Sequence, residues 1–192
     1  MTGMLRTVAC AAFALIIAGE DGFAQDRSAA LQSPLVRRTT LVVEDLDKSI
    51  DFFQRLGLTK WYDASSKASD ADGVIGAADL PLTSDPQRGQ IVIMRGNDDK
   101  IGMIGLLAYE QPPLASARSN LVGIGTSDII LMIQVPDIQS VYTRLQQIGV
   151  RFHRTPTRYT VNNLDGTSDT GMRMFAYDPD GHLVEIVQPD QQ

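Results

Sequence analysis

The sequence predicts an α+β protein built from two tandem βαβββ modules whose strands form a cupped mixed sheet. Three observations lead there. The chain repeats itself, with Leu41 falling on Ile133, Val43 on Val135, Asp45 on Asp137, Ile50 on Tyr142, Phe53 on Leu145 and Gly57 on Gly149, a gapless spacing of 92 residues. Self-similarity at a fixed period marks a duplicated structural unit. Each copy passes from a β-rich run to apolar residues at helical spacing, and each helical stretch closes on a glycine followed by further β-rich runs.

In the first copy, Thr39–Val43 is a run of strand length. Asp45 follows with a side-chain acceptor for the unpaired amides of a helix start. Leu46, Ile50 and Phe53 then recur on one helical face, and Gly57 stands where a left-handed residue ends a helix. Further strands are expected at Leu58–Tyr62, Gln90–Met94 and Ile101–Ala108. The stretch Asp63–Gly89 is rich in Ser, Ala, Asp and Gly and longer than a hairpin requires, which predicts a strand plus a long loop of the kind that serves as a lid or binding loop. The second copy follows the same order through Leu131–Val135, Asp137, Ile138, Tyr142, Leu145 and Gly149, with strands at Val150–Arg154, Arg173–Tyr177 and Val184–Gln188. Residues 36–112 thus form the first module and 127–192 the second. The linker, 113–126, belongs to a longer connecting stretch that contains Pro112 and Pro113.

The N-terminus has a different character. One cation, Arg6, precedes the apolar run Val8–Gly19, and Gly22-Phe23-Ala24 supplies small residues before a cut after Ala24. That order is a secretory signal peptide over 1–24, too short for a permanent anchor, with a polar lead-in at 25–35. The expected location is outside the cytoplasm, in a bacterial periplasm or secreted, with no membrane attachment after cleavage. The chain's single cysteine, Cys10, leaves with the leader, so thiol chemistry and disulfides are excluded from the mature form. A composition of 43% hydrophobic and 21% charged residues is globular, and a net charge of −6 argues against nucleic acid as a partner.

The stretch Leu41-Val42-Val43-Glu44-Asp45-Leu46-Asp47-Lys48-Ser49-Ile50-Asp51-Phe52-Phe53, closing on Leu56-Gly57-Leu58, resembles the opening of the vicinal oxygen chelate family. That family holds glyoxalase I, extradiol dioxygenases, and fosfomycin and bleomycin resistance proteins. Phe175-Ala176-Tyr177-Asp178-Pro179-Asp180-Gly181-His182-Leu183-Val184-Glu185-Ile186 resembles its D-P-D-G-x-x-x-E strand, and the likeness extends over Val36–Pro189. The resemblance implies a cavity between paired modules, within one chain or between the chains of a homodimer. It also implies a divalent metal held by one residue from the first and one from the last strand of each module. Carried over by position, those residues are Arg38, Gly105, Ile130 and Glu185. Only Glu185 offers a metal donor, because arginine stays cationic and glycine and isoleucine carry no donor atom. His153 and His182 lie off the ligand positions. No cofactor and no metal site are therefore expected. The alternative is a Zn, Ni, Fe or Mn enzyme of the glyoxalase (lactoylglutathione lyase) or dioxygenase type.

Strand alternation places Thr40 and Val42 on the face of Arg38, and Leu183 and Val187 on the face of Glu185. Two readings follow. Arg38 and Glu185 form an ion pair that fills the vacated metal position. Otherwise Arg38 binds a carboxylate, phosphate or enolate oxygen of a small anionic or polar ligand, beside Thr40, with Glu185 as hydrogen-bond acceptor or catalytic general base. Any reaction would then be a lyase or isomerase step without the usual ligands. Trp61 and Phe175 are the aromatic residues taken as pocket wall, ahead of Tyr62, Tyr109 and Tyr159. Met172 and Met174 are either adaptable pocket walls or strand fillers. Asp165–Asp169 lacks the spacing of a calcium loop and reads as a polar hairpin turn.

Overall fold

The computed structural model describes residues 35–71, 73–77, 79–116 and 123–191. The expected leader, and all of the lead-in except Leu35, lie outside the described residues. Among the described residues the first module comprises β1 (Arg38–Val42), α1 (Leu46–Arg55), β2 (Thr59–Lys67), β3 (Arg88–Arg95) and β4 (Met103–Glu110). The second comprises β5 (Ile130–Gln134), α2 (Ile138–Gln147), β6 (Phe152–Asn162), β7 (Ser168–Tyr177) and β8 (Leu183–Pro189). The strands form two four-stranded sheets ordered β1-β4-β3-β2 and β5-β8-β7-β6. In each, the first strand pairs with the last in parallel and the other neighbours are antiparallel. This is the βαβββ mixed sheet the repeat predicts, made twice.

The helix ends follow from local chemistry. The carboxylates of Asp45 and Asp137 accept the backbone N–H groups of Lys48 and Ser140, each at 3.0 Å, which satisfies amides that a helix start leaves unpaired. Gly57 (φ 103°) and Gly149 (φ 72°) adopt the left-handed conformation after each helix. Strands β2 and β6 run past their expected ends at Tyr62 and Arg154, to Lys67 and Asn162. Both are outer strands rich in exposed polar residues, so their pairing to β3 and β7 rather than their hydrophobicity makes them strands. Pro156 falls at a register shift of β6, where an outer strand tolerates the missing donor.

A single buried cluster joins the modules. Leu41, Val43, Phe52, Phe53 and Leu106 of the first half pack in it with Val141, Leu145, Met174 and Ile186 of the second. The rings of Phe52 and Phe53 meet edge to face at 5.2 Å. Both helices lie on this side, so the opposite face of each sheet is left to form the concave surface. Met172 and Met174 pack against the buried cluster, which makes them strand fillers and not pocket walls.

The D-P-D-G turn latches one module to the other. The carboxylate of Asp180 accepts Glu44 N–H at 2.7 Å and the fully buried Ser49 Oγ–H at 3.2 Å. Buried Asp178 accepts the amides of Asp180 and His182 and pairs with His182 Nδ1 at 2.9 Å, which gives that histidine a structural partner. Burial raises the Asp180 carboxyl above its ordinary value, and the Glu44 amide opposes the shift. The folded state therefore holds this proton more tightly than the unfolded chain. The stability this group contributes is present below its ordinary value and is lost as pH rises through the raised one. Asp180→Asn keeps an acceptor for Glu44 and removes that pH dependence. Asp180→Ala strands both donors and should cost about 1–3 kcal/mol at neutral pH. Thermal melts of the two variants between pH 4 and 7 check this ordering.

Candidate functional site

On the concave face of the first sheet, Gly105 lies in register with Thr40. A Cβ added at Gly105 would come within 2.8 Å of Thr40 Oγ1 and 3.1 Å of Arg38 Cδ. The side chains of Arg38 and Thr40 therefore drape over the glycine and occupy the space a larger residue there would need. Arg38 is exposed and makes no ion pair or side-chain hydrogen bond among the described residues. It stands at the edge of a cleft of about 430 Å³ between β1 and β5, whose walls include Val36, Leu58, Met103, Ile130 and Met132. No backbone pairing joins β1 to β5 among the described residues.

The part of the first concave face over Leu107 and Tyr109 is covered by its own chain. In the loop after β2, Val74 and Ile75 pack with Leu107 and Tyr109 in a second apolar cluster. Tyr109 Oη–H donates to the Ile75 carbonyl, and Ile75 N–H donates to Ser66 Oγ, each at 2.6 Å. Desolvation pushes the Tyr109 hydroxyl up. The close seat of Val74 depends on Gly89, where an added Cβ would lie 2.7 Å from Val74 Cγ1. Tyr109 thus anchors the loop. Trp61 is 51% exposed on β2, with Tyr62 as its aromatic neighbour at 6.4 Å. It lies at the opposite edge of the sheet from Arg38, and the two are not brought together.

In the second sheet, Glu185 lies in register with Met132 of β5 on one side and Phe175 of β7 on the other. Its Oε1 is 3.4 Å from Nη1 of Arg173, and both side chains are partly covered. The Arg173 guanidinium sits 5.5 Å from the Tyr159 ring and 5.2 Å from the Phe175 ring. His153 stands beside Phe175 at 6.3 Å. Strand β5 and the cleft separate Arg38 from Glu185, whose ion-pair partner is Arg173. Sequence reasoning did not single out Arg173. The available signal was the alternation of Arg173, Phe175 and Tyr177 on one face of β7.

For a divalent ion, the four family positions supply a guanidinium, a bare Cα, an aliphatic side chain and one carboxylate. Among the described residues no group of three or more His, Cys, Asp or Glu side chains converges on a point.

The fold agrees with comparisons to known proteins. The family model described as the Glyoxalase/Bleomycin resistance protein/Dioxygenase superfamily matches residues 35–186. A glyoxalase family protein from Bacillus cereus is 22% identical, with a TM-score of 0.59 over 83% of this chain and 98% of that one. TnmS3, an antibiotic binding protein from Streptomyces sp. CB03234, is 16% identical, with a TM-score of 0.50 over 83% and 98% of the two chains. The trypanothione-dependent glyoxalase I of Leishmania major is 18% identical, with a TM-score of 0.49 over 81% and 87%. No curated protein matches the chain. The family match spans both modules, from β1 into β8, and the chain belongs to the Glyoxalase/Bleomycin resistance protein/Dioxygenase superfamily.

Proposed function

We propose that this protein binds a small, mostly apolar organic anion in the cleft between its modules, and does so without a metal ion. The observation that carries the reading is Arg38, a guanidinium with no carboxylate partner among the described residues, at the edge of a cleft walled by Val36, Leu58, Met103, Ile130 and Met132. Apolar walls with a few placed polar groups are the usual composition of a small-molecule site. A fork of N–H donors beside such walls favours an oxyanion, because charge-assisted hydrogen bonds strengthen where water is scarce. Thr39 lines the cleft, while Thr40 lies over Gly105 outside its lining.

The donor set does not fit the family's metal. Arg38 repels a cation, the space beside Gly105 is taken by Arg38 and Thr40, and the one remaining carboxylate already faces Arg173. That TnmS3, which shares the fold, is an antibiotic binding protein is compatible with binding as a complete function.

The test is calorimetric titration of a panel of small carboxylates and their neutral amides. Arg38→Ala should weaken carboxylate binding by about tenfold or more and leave the melting temperature unchanged, since the side chain is exposed and unpaired. Stoichiometric Ni, Zn, Fe or Mn in the purified protein, or unaltered binding in the variant, would overturn the reading.

A further inference from the structure

Resting on that reading, we propose that Arg173 is the principal anion-binding residue of the second module, and that its aromatic slot selects a carboxylate carried on a flat conjugated ring. The argument begins with the donors of its guanidinium. Glu185 engages Nη1 alone, at a long 3.4 Å. Nε is shut off from solvent and has no hydrogen-bond partner among the described residues. A buried donor on a charged group without a partner is rare and costly, and each one calls for a physical explanation, a bound acceptor among them. The unspent edge, Nε with Nη2, is the fork that meets a carboxylate through two parallel N–H···O bonds.

The walls indicate the rest of the ligand. Register places Arg173 opposite Thr157, with Tyr159 one pleat away opposite Gly171, and Phe175 one pleat the other way opposite Arg154. The two rings therefore flank the guanidinium along the strand direction, at 5.5 and 5.2 Å. A carboxylate bonded in the guanidinium plane lies in the same gap. A ring conjugated to that carboxylate stays in its plane and continues between the walls, where stacking adds to the charge-assisted bonds. A saturated ring, puckered out of plane, fits less well. Tyr159 belongs to the outer strand β6, so it is the wall that can yield to admit the ligand. Glu185 is then a positioning residue that holds Nη1 and turns the other edge toward the concave face.

The first module offers no equivalent slot over Leu107 and Tyr109, because the loop carrying Val74 and Ile75 packs onto that part of its concave face. This asymmetry confines the ligand to the cleft and the second sheet.

The test uses the full protein with benzoate, cyclohexanecarboxylate and benzamide as probes. Affinities are read by calorimetry and sites by backbone amide shifts. Benzoate is expected to bind more tightly than cyclohexanecarboxylate, to shift the amides of Tyr159, Arg173 and Phe175, and to outbind benzamide. Arg173→Ala should weaken benzoate by about tenfold or more. Arg173→Lys keeps the charge but loses the planar fork, so it should weaken benzoate too, and it decides the matter if the alanine variant fails to fold. Loss of benzoate binding in Arg38→Ala with full retention in both Arg173 variants would overturn this inference and leave the cleft reading standing. Loss only in the Arg173 variants would support it and remove Arg38 from the site. Absence of benzoate shifts at Tyr159 and Phe175 in the unaltered protein would also overturn it.

Discussion

Replacing Phe52 with alanine is expected to cost about 3–5 kcal/mol of stability and to loosen both modules at once. Phe52 is fully buried on α1 and meets Phe53 edge to face at 5.2 Å. Its loss removes transfer free energy, leaves a cavity the neighbours only partly refill, and deletes an aromatic pair. The neighbours come from both halves, since the same cluster holds Leu106 of β4 and Leu145, Met174 and Ile186 of the second module. Backbone pairing does not join the two sheets among the described residues, so the coupling runs through this cluster, the Asp180 latch and the Arg144 Nε–H bond to the Arg55 carbonyl at 3.0 Å. A continuous core should unfold as one cooperative unit. Urea denaturation followed by fluorescence of Trp61, the chain's only tryptophan, reports the first module, while far-ultraviolet circular dichroism reports both. The two probes should give one midpoint in the unaltered protein and one lowered midpoint in the variant. A tryptophan transition that separates from the dichroism would show that the modules unfold independently.

The fold was legible because duplication writes the same physical script twice. An acceptor at Asp45 and Asp137, a helical apolar face and a left-handed glycine agree with one another in each copy. Strand ends were less legible. At β2 and β6 the residues are polar and exposed, and what makes them strands is hydrogen bonding to β3 and β7, which no local pattern reveals. The same limit governed the site. Arg38 was found because it occupies a motif position. The meaning of Gly105 appeared only when register set it beside Thr40 and under the Arg38 stem. Arg173 lies twelve residues before Glu185 with a turn between, and their meeting at 3.4 Å depends on the β7–β8 hairpin register. The long loop was recognised by composition, yet its apolar residues Val74 and Ile75 turn inward onto Tyr109 and fill the face it was expected to cover from above.

Gly171→Ala should be among the most damaging small substitutions in the chain, with a loss of about 3 kcal/mol or more, at or beyond the upper end of ordinary overpacking. Gly171 lies in β7, opposite Pro189 of β8 and Tyr159 of β6. A Cβ there would collide with the Gln188 carbonyl oxygen and come within 2.9 Å of Pro189 Cα and 3.0 Å of Tyr159 Cε1. Two of these three neighbours are backbone atoms, so relief requires β7 and β8 to separate rather than a side chain to rotate. The third is the ring that walls the Arg173 slot, and moving it widens that slot. Gly105→Ala provides the contrast. Its obstacles are Thr40 Oγ1 at 2.8 Å and Arg38 Cδ at 3.1 Å, both side-chain atoms. The Arg38 stem is exposed and free to swing, so the cost should stay within about 1–2 kcal/mol while Arg38 is displaced from the cleft. Denaturation midpoints and carboxylate affinities measured on the two variants together separate the effects. The Gly171 variant should lose stability first, and binding through the disturbed second sheet. The Gly105 variant should keep most of its stability and lose whatever part of binding runs through Arg38. Equal stability losses would mean that Thr40 and Arg38 are held as rigidly as backbone, and Arg38 would then be a structural plug, not a ligand-binding group.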